Sequence, residues 1–77
     1  MKEVLEYVAR ALVDEPDAVE VTELEGETST ILQLKVAPDD MGKVIGKRGR
    51  TVKAIRSVVR AAGSGQGVTT LVEIVEE

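Results

Sequence analysis

The sequence predicts an α+β fold in which helices pack on one face of a three-stranded mixed sheet. Two observations point there. Apolar residues recur at helical spacing at the start of the chain, alternate through its middle, return to helical spacing, and end in a β-branched run. The chain of 77 residues is long enough for one small domain, 1–77, and too short for two. Composition then limits how such a fold is held. With no Cys and no His there is neither a disulfide nor an ordinary zinc site. A domain of this size buries only about 60% of its unfolded surface, so the core rests on aliphatic packing, with oligomerisation as a further support. The apolar content of 43% argues for a folded globule rather than a disordered chain.

The elements follow in order. Residues 2–14 carry Val4, Leu5, Val8, Leu12 and Val13 at helical spacing, with Glu3, Glu6 and Arg10 on the polar side. Asp14, Glu15 and Pro16 end this helix, because proline lacks the amide donor and disfavours helix in the residue before it. Val19 and Val21 alternate with Glu20 and Thr22 as in a half-buried strand. Glu25-Gly26-Glu27 makes a turn into a second strand, 30–36, with Leu32, Leu34 and Val36 on one face and Ile31, Gln33 and Lys35 on the other. The short connection makes the pair an antiparallel hairpin.

Pro38 ends that strand, and Asp39 and Asp40 suit a helix cap better than a metal site. A short helix, 41–45, stops at Gly46, and a longer one runs over 50–62 with Val52, Ile55, Val58, Val59 and Ala62 as its apolar set. The Gly-rich segment 63–67 is a loop, and 68–75 reads as a third strand. The crossover is long enough to bring this strand parallel to the second.

Several function classes fall away. Glu3 and Glu6 interrupt any signal-like apolar run, and no stretch reaches the roughly 18 apolar residues of a membrane span. The expectation is a soluble cytoplasmic protein with no membrane partner. Without Cys or His most nucleophilic and acid–base chemistry is missing, so no catalytic residue, no metal and no cofactor is assigned and the chain is not expected to be an enzyme. The Walker A spacing fails, since Gly42 lies four residues before Gly46 and Arg48 stands where Ser or Thr belongs. Tyr7 reads as a packing residue.

The net charge of −4 argues against a nucleic-acid partner until it is resolved along the chain. Residues 42–60 hold seven basic side chains (Lys43, Lys47, Arg48, Arg50, Lys53, Arg56 and Arg60) and no acid. The other 58 residues hold three basic and fourteen acidic side chains. A basic patch on an acidic body is the footprint of a local anion site. On the long helix Lys53, Arg56 and Arg60 share one face, and the spacing predicts Val52, Ile55 and Val59 on the other. Like charges so close repel one another, so a purely structural helix would more often alternate them. Between the two helices, Gly46-Lys47-Arg48-Gly49 puts two cations between two residues that let backbone approach a ligand. The loop also delivers the N-terminus of the next helix, where free amides attract anions.

The run Gly42-Lys43-Val44-Ile45-Gly46-Lys47-Arg48-Gly49-Arg50-Thr51, continued by Val52-Lys53-Ala54-Ile55-Arg56, closely resembles the core motif of KH domains. Length, element order and the lead-in Ala37-Pro38-Asp39-Asp40-Met41 are similar to the stand-alone bacterial KH proteins of the KhpA (YlqC-like) family. The resemblance implies the type II, prokaryotic fold, α-β-β-α-α-β. It implies binding of single-stranded RNA in a groove between the two helices, the G-x-x-G loop and the last strand. Gly46, Lys47, Arg48 and Gly49 would clamp the backbone of about four nucleotides. Val44 and Ile45 would give apolar surface under the bases unless they belong to the core, and Lys43, Arg50, Thr51, Lys53 and Arg56 complete the expected RNA-binding set. Residues 63–67 would be the variable loop. The resemblance further implies a homodimer, pairing with a KhpB/Jag-type KH protein, RNA chaperone or post-transcriptional regulatory activity, and effects on cell elongation or division. The rival reading is a dimerisation module that assembles a larger RNA-binding partner. The near-absence of aromatic residues counts against stacking-based RNA binders rather than against this one.

Overall fold

The computed structural model describes residues 2–63 and 69–75. Helix α1 spans Lys2–Leu12, strand β1 Glu20–Glu25, strand β2 Ser29–Lys35, helix α2 Met41–Ile45, helix α3 Arg50–Ala62 and strand β3 Thr69–Ile74. Short 3-10 turns at Pro16–Ala18, Pro38–Asp40 and Lys47–Gly49 join them. The expected order α-β-β-α-α-β is present, with the helices on one face of a three-stranded mixed sheet, as in the type II KH fold.

Strand order is β1-β2-β3. The β1–β2 pair is antiparallel, with Val21 opposite Leu34, and the β2–β3 pair is parallel, with Leu32 opposite Val72. That register puts Val21, Leu34, Leu32 and Val72 on the helix-covered face, as the alternation predicts. Leu5 and Ala9 of α1, Val44 of α2, and Ile55 and Val59 of α3 close over them into one aliphatic core.

The helices differ from expectation in detail. Helix α1 ends at Leu12 rather than at 14, and Leu12 is exposed. Ala9, which the spacing of large residues passes over, is fully buried one turn after Leu5. Val58 and Ala62 were expected on the apolar face of α3, yet both are exposed. Val58 lies about 100° around the helix from Val59, which takes it off the stripe formed by Val52, Ile55 and Val59. Tyr7, expected to pack, is 78% exposed on the outer side of α1. The expected loop lies outside the described residues from 64 onward, as do Val68 and the last two residues. No helix among the described residues is long and apolar enough to cross a membrane.

Candidate nucleic-acid interface

The loop between α2 and α3 is built by backbone conformations that the sequence favours. The last amide of α2 is closed at Gly46, whose N–H donates to the Gly42 carbonyl at 2.8 Å. Gly46 then takes φ 75°, ψ 171°, which L side chains rarely adopt. A Cβ there would also overlap the Thr51 hydroxyl, and the Thr51 backbone nitrogen would lie only 2.8 Å away. Thr51 thus braces the loop from behind. Gly49 is left-handed at φ 74°, ψ 14°. Between the glycines Arg48 is left-handed as well, at φ 58°, ψ 25°, where a β-carbon is disfavoured.

This chain path exposes charge. Lys47, Arg48 and Arg50 line a hollow of about 230 Å³. No side chain caps the N-terminus of α3 beside it. The start of a 13-residue helix therefore faces the hollow with its dipole unneutralised by an acid.

A larger cleft of about 600 Å³ lies between α3 and the free edge of β3. Ile45 and Val52 give it an apolar wall, Arg56 and Arg60 stand over it, and residues 70–74 form the opposite side. The Arg56 Nε–H donates to the Val72 carbonyl at 3.3 Å, tying α3 to the strand edge. Arg56 therefore does not face away from the core side of α3, as the sequence suggested. It follows Val52 by four residues, about 40° around the helix, so the basic stripe borders the apolar stripe and the cleft receives both.

The seven basic residues separate into groups. Lys47, Arg48 and Arg50 share the loop hollow, and Arg56 and Arg60 share the cleft. Lys53 is exposed on α3 and lines neither. Lys43 leans the other way, onto the Asp14 carboxylate, with Asp40 Oδ1 at 3.7 Å. The hydrogen bond to Asp14 raises the Lys43 amine above its ordinary value. Val44 is fully enclosed in the core, so it supports α2 from below, whereas Ile45 reaches the cleft.

Asp40 was expected as a helix cap, but its side chain makes no capping bond to α2. It is 2% exposed and accepts the backbone N–H groups of Asp14 and Glu15 at 3.2 and 3.1 Å. A side chain at the start of α2 thereby holds the end of α1, and so fixes the helix that carries the loop. Sequence spacing gives no sign of this link, because its partners lie 25 and 26 residues away.

Known proteins resemble this chain in sequence and in fold. The family model described as KhpA/KhpB, KH domain, matches residues 2–74. The chain is 57% identical over 75 residues to the RNA-binding protein KhpA of Clostridium acetobutylicum, covering 97% of this chain and all of that one. It is 56% identical over 75 residues to the RNA-binding protein KhpA of Clostridium perfringens, with the same coverage. Among solved structures, Era in complex with MgGDPNP and nucleotides 1506-1542 of 16S ribosomal RNA aligns with a TM-score of 0.62 at 18% identity. That alignment covers 99% of this chain and 30% of the Era chain, and it speaks for the fold alone.

Proposed function

The chain belongs to the KhpA/KhpB family of KH domains, and from that premise we propose that it binds single-stranded RNA by clamping the backbone with Gly46, Lys47, Arg48 and Gly49. It is a binding protein and not an enzyme, with residues 1–77 acting as one KH domain. The observation that carries the reading is the hollow of Lys47, Arg48 and Arg50 at the uncapped start of α3, beside an apolar cleft. Phosphates sit in the hollow, where amides and cations converge. Bases turn into the cleft over Ile45. Thr51 holds the loop's shape, Lys53 and Arg56 carry the path along α3, and Lys43 adds charge that Asp14 partly offsets. Changing Lys47 and Arg48 together to Asp abolishes RNA binding and leaves thermal unfolding nearly unchanged. Unaltered affinity in that variant would falsify the assignment.

Exposed aliphatic residues favour a second reading that is compatible with the first. Val58 is 48% exposed, and Leu24 and Leu71 are each 46% exposed. In this reading the domain forms a homodimer or pairs with a larger KH protein of the KhpB/Jag type. Two linked sites then gain avidity, as an RNA chaperone or post-transcriptional regulator would use. Sedimentation with and without RNA distinguishes the readings. A stable dimer indifferent to RNA supports assembly, and RNA-bound monomers argue against it.

A further inference from the structure

The cleft beside the loop is charged on one wall only. Val72 stands beside Leu32 on the helix-covered face of the sheet, so by alternation Thr70 and Ile74 turn there with it, and Leu71 and Glu73 turn to the opposite face. The strand wall of the cleft is therefore uncharged. The helix wall carries Arg56 and Arg60, one turn apart on α3 and about 40° around its axis. Their states differ. The Arg56 guanidinium is held at the strand edge by its Nε–H bond to the Val72 carbonyl. Arg60 is exposed and has no hydrogen bond or ion pair among the described residues. At 1.5 Å per residue it stands about 15 Å along the helix from Arg50, the cation that α3 contributes to the loop hollow. A strand clamped at the loop and laid through the cleft therefore meets Arg60 at the far end.

Resting on the RNA-binding reading above, we infer that Arg60 is a further phosphate contact, at the end of the cleft away from the loop, and that it extends the bound RNA beyond the roughly four nucleotides of the clamp. Its ligand is a backbone phosphate of the single strand, met on a wall with no carboxylate of its own. A guanidinium in the last turn of α3 also complements the helix dipole, a role that needs no RNA. The experiment separates the two.

Binding is measured by fluorescence anisotropy, against salt, for a uridine oligomer of about four nucleotides and for one twice as long. A longer strand gains affinity simply by offering more registers, so the salt slope decides. In wild type the longer oligomer has the steeper plot of log affinity against log salt, by roughly 0.7 for one further phosphate neutralised. Arg60→Gln removes that difference, weakens the longer oligomer by about threefold and leaves the shorter one unaffected. Arg60→Lys, which keeps the charge, restores the slope. Arg10→Gln removes an equal charge from α1, outside the cleft, and leaves both slopes as in wild type. Equal slopes for the two oligomers in wild type overturn the proposal, as does a loss in Arg60→Gln that is the same at both lengths. An equal drop in slope in Arg10→Gln marks a general charge effect and overturns it too. So does an Arg60→Gln variant that binds both oligomers like wild type but unfolds at lower urea concentration, which leaves only the dipole role. Failure of the underlying reading looks different, since wild type then binds neither oligomer.

Discussion

At Gly46 and Gly49 two residues of the same type have different tolerances. Gly46 has φ and ψ outside the left-handed helical well, and Thr51 fills the space a side chain would need. Gly46→Ala therefore breaks the loop, and we expect lower stability together with loss of RNA binding. Gly49 lies within the left-handed well, with only Val52 Cγ1 at 3.9 Å near a would-be Cβ. Gly49→Asn keeps the fold, because Asn tolerates that well. Arg48 occupies the same well without being glycine, at φ 58°. That conformation costs about 1 kcal/mol, so Arg48→Gly stabilises the domain by about that amount while weakening RNA binding. Urea titration beside an RNA titration checks both halves, and a variant that binds as well as wild type removes Arg48 from the site. The G-x-x-G pattern made these positions legible in the sequence. Which glycine is irreplaceable was not legible, because that depends on where Thr51 sits after folding.

Among the elements, α2 is too short to hold itself in place, with five residues against the several turns an isolated helix needs. Val44 anchors it in the core, and Asp40 ties its start to the end of α1. Asp40→Ala leaves two backbone amides without their acceptor, at a cost of about 2 kcal/mol for charge-assisted bonds. Asp40→Asn, which keeps one carbonyl acceptor, loses less. A drop of that size in the urea midpoint, with unchanged slope, supports the tie, and an unaffected midpoint rules it out. Lys43 adds to the same junction, and its raised pKa sets the sign of the pH effect. The folded amine loses its proton later than the unfolded one. Its contribution is therefore complete below the ordinary value of 10.5 and is lost as pH rises through the folded value. Alternation in β2 and helical period in α1 and α3 were readable because each reports one buried face. The cleft was not, since a helical period places Arg56 relative to Val52 but says nothing of the β3 edge that Arg56 reaches across 16 residues.

For the whole molecule, the question is whether RNA responds to the net charge of −4 or to the basic window within it. Sheet order separates the two. Glu20, Glu23 and Glu25 are exposed on β1, and β1 lies two strands from the β3 edge of the cleft. At about 4.8 Å per strand that is roughly 10 Å, about one Debye length at 0.1 M salt. Changing all three to Gln takes the net charge from −4 to −1 without touching the loop or the cleft. Local control predicts that this variant binds RNA more tightly only at low ionic strength, with the difference vanishing near physiological salt. The plot of log affinity against log salt is then steeper than in wild type at low salt and merges near physiological salt with the wild-type line, whose slope is roughly 0.7 per phosphate neutralised, because the same loop and helix cations meet the RNA. Removing Lys47 and Arg50 does the reverse, lowering the slope by roughly 1.4 at every salt concentration if each neutralises one phosphate. Should the β1 variant gain affinity equally at all salt concentrations, the acidic body rather than the local window governs binding, and the division of charge along the chain loses its functional meaning.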